Sequence, residues 1–247
     1  MIALIAITGC VTQHSERSVV EADIVQKGAD YTCVKATDKI VIDGILNEQS
    51  WQDATVIDKF YPFSPKDATV LSGTKAKLTW DDKNLYVAIE CDDDDIWSYS
   101  DKADDQLWRG DVAEFFLKPS TSALAYCEFV VSPSGGLYDA RYPSRGAGGY
   151  YRFKGWSSNA KVATKVNGTD GNWKDTDIGY VVEMAIPFSA FKDIAKTPVA
   201  GDVWNFGVCR YDYTKSYESQ LLLMTMPESR KNGYHYYEAY SPLTFSE

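Results

Sequence analysis

Apolar and polar residues alternate along most of this chain in short runs that turn residues separate. In residues 85–90 the alternation places Leu85, Val87 and Ile89 on one face, because successive side chains of a strand point to opposite sides. This run and residues 75–80 are predicted to form a hairpin around the polar turn at 81–84. The same pattern predicts further strands at residues 39–44, 112–117, 126–132, 137–140, 160–166, 180–186, 204–211 and 243–245.

Helical periodicity is almost absent. One helical turn is predicted at residues 48–54, where it would lay Trp51 onto the core, and another near residues 189–194 after Pro187. Many short strands with frequent turn signals are typical of two packed antiparallel sheets. The prediction is an all-β, antiparallel β-sandwich of jelly-roll or immunoglobulin-like type with few short helical turns, forming one domain over residues 30–247.

The start of the chain has a different pattern. Met1 to Thr8 are apolar, too few to cross a bilayer, and are followed by Gly9 and Cys10. A small residue before a cysteine has the form of a bacterial lipoprotein cleavage site, although the usual Lys or Arg is missing and a buried strand is the alternative. This predicts a signal remnant at 1–9, lipidation of Cys10, a polar tether at 10–29, and an exported protein anchored to a membrane, facing the periplasm or the cell surface.

Composition narrows the function classes. The 247 residues are 45% hydrophobic, enough for one sizeable core, and the net charge of −10 disfavours nucleic acid as a partner because like charges repel.

Four further cysteines lack the C-x-x-C spacing of zinc sites. In an exported protein they permit two disulfides in three pairings, or four free thiols. They are Cys33, Cys91, Cys127 and Cys209.

Five sequence motifs point to one protein family more specifically in combination than any one of them does alone. In chain order they are Ile42-Asp43-Gly44-x-Leu46-x-Glu48-x-x-Trp51, then Leu78-Thr79-Trp80-Asp81 with Leu85-Tyr86-Val87-Ala88, then Trp108-x-x-Asp111-x-x-Glu114-Phe115-Phe116-Leu117-x-Pro119, then Tyr126-x-Glu128-Phe129-x-Val131-Ser132-Pro133, and Asp175-x-Asp177-x-Gly179-Tyr180-x-Val182-Glu183-Met184-Ala185-Ile186-Pro187. Their order resembles the family 9 carbohydrate-binding modules over roughly residues 31–245.

The resemblance implies a jelly-roll-like sandwich that binds sugars, with calcium bound in characterised members and no organic cofactor. It also implies that two aromatic rings clamp a terminal sugar. The first ring corresponds to Trp108, with Glu114 as a polar contact. Counting back from Tyr240-x-x-Leu243 places the second at Tyr234.

An aromatic clamp makes physical sense, because a flat ring matches the C–H face of a pyranose while polar groups bond its hydroxyls. The predicted polar contacts are Glu114, Glu128, Ser132 and His235. Characterised members carry Arg and Asn where this chain has Val130 and Ser132, so the charged donor is missing. A core role for Trp108 is the alternative interpretation.

Acidic residues form a run directly after the predicted strand at 85–90. Calcium takes six to eight oxygen ligands, so Asp92, Asp94 and Asp111 are candidate ligands, with a solvated acidic loop as the alternative. A second acidic stretch at 167–177 fails the EF-hand spacing and is predicted to be a hairpin connection.

Two other functions are weighed against non-catalytic carbohydrate binding. Related sandwiches of the cytochrome type hold haem through Met with His or Lys, for which His235, Met184, Met224 and Met226 are available. A glycoside hydrolase, or an accessory protein with weak hydrolytic activity, needs two carboxyl groups flanking the bond, for which Glu114, Glu128 and Asp111 are available. The motifs of serine hydrolases, zinc proteases and phosphate loops are missing.

Overall fold

The computed structural model describes residues 27–63, 73–149, 152–213, 220–225 and 233–247, with the backbone alone at 220–224. The predicted signal remnant, Cys10 and most of the tether lie outside the described residues. The described residues form twelve strands. They are β1 (Tyr31–Lys35), β2 (Tyr61–Pro62), β3 (Thr74–Trp80), β4 (Asn84–Asp92), β5 (Val112–Lys118), β6 (Tyr126–Val131), β7 (Leu137–Tyr142), β8 (Lys161–Asn167), β9 (Gly179–Pro187), β10 (Val203–Tyr213), β11 (Gln220–Met224) and β12 (Ser241–Ser246).

The strands form one continuous sheet in the order β7-β6-β5-β10-β12-β1-β3-β4-β9-β8, with β11 paired to β10 and to β2. The sheet closes into a nearly barrel-shaped sandwich, which confirms the predicted all-β fold. One detail differs from a purely antiparallel arrangement. Strand β1 runs parallel to both β12 and β3. It thereby joins the half of the sheet formed by β7-β6-β5-β10-β12 to the half formed by β3-β4-β9-β8.

The main core lies between the two halves. Leu85, Val87 and Ile89 of β4 are fully buried there, as the alternation predicts, in the same cluster as side chains from β5 and β6 such as Phe115 and Phe129. Each such side chain contributes about 1.5–3 kcal/mol on leaving water. The two halves of the sheet are therefore held together chiefly by this apolar layer.

A second apolar cluster, called here the outer cluster, covers the opposite face of β5, β6, β7 and β10. Alternation produces it directly: Phe115 of β5 faces the main core, whereas Phe116 faces outward and packs against Tyr240. The outer cluster is rich in tyrosine and supports the candidate site described below.

The predicted helical turns are present. Helix α1 (Gln49–Asp53) buries Trp51 completely, and the Trp51 indole N–H donates to the Glu183 carboxylate at 3.1 Å. The turn after Pro187 is a 3₁₀ helix at Phe188–Phe191. Among the described residues, no helix has the length and apolar character needed to cross a membrane.

The strand predicted at residues 39–44 is wrong. Its backbone N–H groups donate to side chains rather than to a neighbouring strand. Glu48 accepts from the Val41 N–H, and Glu183 accepts from the N–H groups of Asp43 and Gly44. Gly44 has φ of +81°, a conformation that ends an extended run. This segment therefore lies as a loop against the β4–β9 face.

The four cysteines at positions 33, 91, 127 and 209 are buried as free thiols. Of the alternatives that the sequence left open, the structure has the one without disulfides. Burial raises the pKa of the Cys91 thiol to about 11, opposed by the nearby Arg210 charge. These thiols pack as small apolar groups rather than as cross-links.

Candidate functional site

An open groove of about 530 Å³ lies on the outer face of β5, β6, β7 and β10. Glu114 and Glu128 contribute to its lining because they alternate with the core residues Phe115 and Phe129. The groove is lined by Trp108, Glu114, Tyr126, Glu128, Tyr138, Tyr142, residues 145–149, Tyr211 and His235. Four of the six residues predicted as ligand contacts, namely Trp108, Glu114, Glu128 and His235, are thus brought together.

Trp108 stands on a 3₁₀ turn (Leu107–Arg109) whose first residue, Leu107, is fully buried and anchors it. The indole is half-buried and meets the Tyr138 ring edge to face, with centroids 5.3 Å apart. The Trp108 carbonyl accepts a hydrogen bond from the Tyr213 hydroxyl at 3.0 Å. The turn is therefore fixed, and the indole lies beside the groove rather than inside the main core.

Two buried carboxyl groups line the same groove as this indole. The Tyr142 hydroxyl donates to Glu128 at 2.6 Å, whereas one carboxyl oxygen of Glu114 is buried and accepts no hydrogen bond. Burial, and then the Glu128 charge, raise the pKa of Glu114 well above its ordinary range. Burial also raises the pKa of Glu128, although His235 opposes this. The pair thus lacks sufficient compensating charge.

The aromatic wall of the groove is built around His235. Its Nδ1 and the Tyr126 hydroxyl share a hydrogen bond of 2.9 Å, and the Tyr126 and Tyr142 rings stack at 5.0 Å. Sequence reasoning missed Tyr126, Tyr138, Tyr142 and Tyr211. The period of two carried the signal, because Tyr126 shares a strand face with Glu128, and Tyr138 shares one with Tyr142.

The rim of the groove at residues 145–149 brings one arginine. Arg145 forms an ion pair of 2.9 Å with Glu238, and its guanidinium lies 5.0 Å from the centre of the Tyr236 ring. Its charge is thus already matched by an acidic partner outside the groove lining.

The structure places Tyr234 differently from an open clamp. Its side chain is only 6% exposed and packs against Phe63, Phe116 and Tyr211. It lines a smaller hollow of about 230 Å³ that shares Glu114, Glu128, Tyr211 and His235 with the groove. Its ring is part of the outer cluster, so the predicted open second face of the clamp is corrected.

Ser132 is not brought to the groove. Its hydroxyl accepts from the Gly136 N–H at 3.1 Å and donates to the Ser100 carbonyl at 3.0 Å. The side chain is fully buried in the turn that follows β6. The prediction of Ser132 as a ligand contact is corrected: its hydrogen bonds stabilise this turn.

The acidic residues form a separate cluster at the end of β4. Ligand oxygens of Asp93, Asp111 and Asp212 lie within 4.8 Å of one another, and Asp94 belongs to a second group with Asp93 and Asp95. Asp92 is exposed and belongs to neither group, although it lines an open hollow of about 350 Å³ beside them. The inward-pointing residues of the acidic run are Asp93 and Asp95, which sequence reasoning did not select.

Arg210 is the cation inside this cluster. Its fully buried guanidinium pairs with Asp93 at 2.9 Å and with Asp212 at 3.2 Å. Asp111 accepts from the backbone N–H groups of Trp97 and Tyr213. Burial raises the pKa of Asp93 to about 7, although Arg210 opposes this, and burial followed by the Asp93 charge raises the pKa of Asp111 to about 9.

The residues proposed for haem do not converge. Met184 is buried in the main core, whereas His235 lies on the outer face of the other half of the sheet. The side chain of Met224 and all of Met226 lie outside the described residues. The hydrolase alternative gains no support either: Glu114 and Glu128 rise from adjacent strands of one floor, and Asp111 belongs to the acidic cluster.

The family model described as carbohydrate family 9 binding domain-like matches residues 42–241. The chain belongs to this family. No curated protein matches the sequence. Solved structures of a family 9 module from Caldicellulosiruptor kristjanssonii, in complex with cellotriose and with glucose, share 19% identity and superpose with a TM-score of 0.60. Each match covers 87% of this chain. It covers 93% of the chain solved with cellotriose and 95% of the chain solved with glucose.

A protein from Bacteroides uniformis ATCC 8492, named as a proposed carbohydrate-binding protein, has a TM-score of 0.63 at 14% identity. The match covers 89% of this chain and 100% of that one. These likenesses establish the family 9 fold. Within that fold this chain departs at Val130, which is fully buried in the outer cluster, and at Ser132. Neither position offers a donor to the groove.

Proposed function

We propose that this family 9 domain is a non-catalytic carbohydrate-binding protein and that its groove on β5–β7 takes the sugar. The half-buried indole of Trp108 beside an open groove carries the proposal. A pyranose offers an apolar C–H face to the indole and hydroxyls to the carboxyl groups and His235 below. The related module from Caldicellulosiruptor kristjanssonii is named in complex with cellotriose and glucose, which supports a gluco-configured ligand.

Isothermal titration of cellotriose into wild type and Trp108→Ala tests the proposal. Loss of the stacking surface is expected to weaken binding about tenfold, the equivalent of about 1.4 kcal/mol. Trp173→Ala is the matched control, because Trp173 is exposed and does not line the groove. Equal affinities of wild type and Trp108→Ala would remove the indole from the site.

We also propose that Ca²⁺ binds at the acidic cluster. Carboxylate oxygens within 4.8 Å of one another match the separation of ligands around one such ion, and three carboxylates exceed the single charge of Arg210. Added Ca²⁺ should raise the melting temperature of EDTA-treated protein, and Asp94→Asn, which changes an exposed residue of the cluster, should reduce that gain. An unchanged melting temperature in millimolar Ca²⁺ refutes the proposal.

Export and a lipid anchor on Cys10 remain proposals that rest on the sequence. The small residue Gly9 before Cys10 supports them. Cys10→Ser is expected to shift the protein from the membrane fraction to the soluble fraction of a bacterial host. Recovery of both forms in the same fraction would contradict the anchor.

A further inference from the structure

The floor of the groove is acidic, and the described lining residues supply little to balance it. Glu114 and Glu128 are both buried, and one oxygen of Glu114 accepts no hydrogen bond. Among the described lining residues Arg145 is the only arginine or lysine, and it is paired with Glu238 at 2.9 Å. The other basic lining residue, His235, is hydrogen-bonded to Tyr126.

Such an arrangement is costly for a protein that binds only neutral sugars. A buried carboxyl oxygen without a hydrogen-bond partner destabilises the folded protein, and more strongly when the group is charged. A hydroxyl can supply a hydrogen bond, but it cannot supply the positive charge that two neighbouring carboxyl groups lack. A ligand that carries an ammonium group supplies both at once.

The walls of the groove favour the same kind of ligand. Trp108, Tyr138 and Tyr142 line it, and the negative faces of aromatic rings attract cations. The net charge of −10 over the whole chain adds a long-range attraction for positively charged ligands. The buried carboxyl pair and the rings thus point to one class of ligand.

We infer that the groove prefers an amino sugar, such as β-1,4-linked glucosamine, whose protonated amine pairs with Glu114 and Glu128 while its ring face lies on Trp108. This inference rests on the proposed function, because it names the sugar class that the same groove takes. Val130 fits it, since a positively charged protein side chain at this position, on the face of β6 that carries Glu128, would neutralise the carboxyl pair and remove the preference.

Three trisaccharides with the same linkage and different groups at C2 provide the test: the glucosamine trimer, cellotriose and the N-acetylglucosamine trimer. Titration into the wild-type protein near neutral pH is expected to show the glucosamine trimer binding at least about tenfold more tightly than either neutral trimer. Cellotriose binding as tightly as the glucosamine trimer overturns the inference and leaves the proposed function standing. No binding of any trimer overturns both.

An amide variant identifies the residues that bind the amine. Glu114→Gln should weaken binding of the glucosamine trimer about tenfold and that of cellotriose by clearly less, because an amide can still bond a hydroxyl but cannot become the anion that pairs with an ammonium group. Glu90→Gln is the matched control, because it makes the same substitution on β4, away from the groove. If Glu114→Gln does not fold, Glu128→Gln replaces it. Equal losses for charged and neutral trimers would contradict the proposed ion pair.

Discussion

Removal of Arg210 tests how the charges at the end of the sandwich are balanced. Arg210→Met keeps an unbranched apolar side chain in place and deletes the guanidinium. The guanidinium is fully buried and bonds Asp93, Asp212 and the Thr74 hydroxyl. Without it, the carboxylates of the cluster face one another with no cation from the described residues between them.

The size of the effect follows from the burial of the partners. Breaking a buried ion pair by removing one member costs about 3–5 kcal/mol, because the other charge stays buried. Asp93 is 1% exposed through its side chain, but Asp212 is 11% exposed and reaches solvent in part. We therefore expect the lower end, about 3 kcal/mol, equal to a fall in melting temperature of about 6–12 °C for a chain of this size.

Thermal unfolding followed by circular dichroism in EDTA measures the fall without interference from Ca²⁺. Arg141→Met is the control, because Arg141 and Asp193 form an ion pair of 3.5 Å at the surface, with side chains 28% and 63% exposed. Such pairs contribute about 0–1 kcal/mol. If the two variants melt within about 2 °C of each other, the cluster does not depend on the Arg210 charge and the reasoning fails.

Three further predictions concern the groove and the core. Tyr234→Phe should leave cellotriose affinity within about twofold of wild type, because the Tyr234 hydroxyl that it removes is buried in the outer cluster; a tenfold loss would make this hydroxyl a ligand contact. The four buried cysteines should resist alkylation in the native protein and react after unfolding, which mass spectrometry can count; rapid native labelling would contradict their burial. Because burial and Glu128 raise the pKa of Glu114 above its ordinary 4.5, the folded protein keeps a proton that the unfolded chain releases. The free energy of unfolding should therefore fall as pH rises above this value, and by less in Glu114→Gln; parallel melting curves from about pH 5 to pH 8 would contradict this.

Much of the sheet could be predicted because its strands bury one face. The alternation in β4 fixes which residues enter the main core, and the pattern of β5 separates Phe115 from Glu114 in the same way. The strands that pattern did not reveal are β1, β2 and β11. Strands β1 and β2 pair with partners distant in the chain, as when β1 adds to both β3 and β12.

Several residues of the site could be predicted from the sequence, but the balance of charge among them could not. The resemblance to family 9 modules selected Trp108, Glu114 and Glu128, which the fold brings together. It also selected Tyr234, although ring packing in the outer cluster cannot be deduced from spacing. The loop at residues 39–44 shows the same limit, because the acceptor that captures it, Glu183, lies about 140 positions away in the sequence.

One face of β5 and β6 belongs to the main core, and the other face lines the groove. One face contributes Phe115 and Phe129 to the main core, and the other carries Glu114 and Glu128 within an otherwise aromatic surface. An apolar pair at the two glutamate positions would pack in the outer cluster without the cost of burying carboxyl groups. Stability therefore gives no reason for these glutamates, whereas a positively charged ligand in the groove does. Because the main core is built on the opposite face, substitutions in the groove should change ligand preference while the sandwich remains folded.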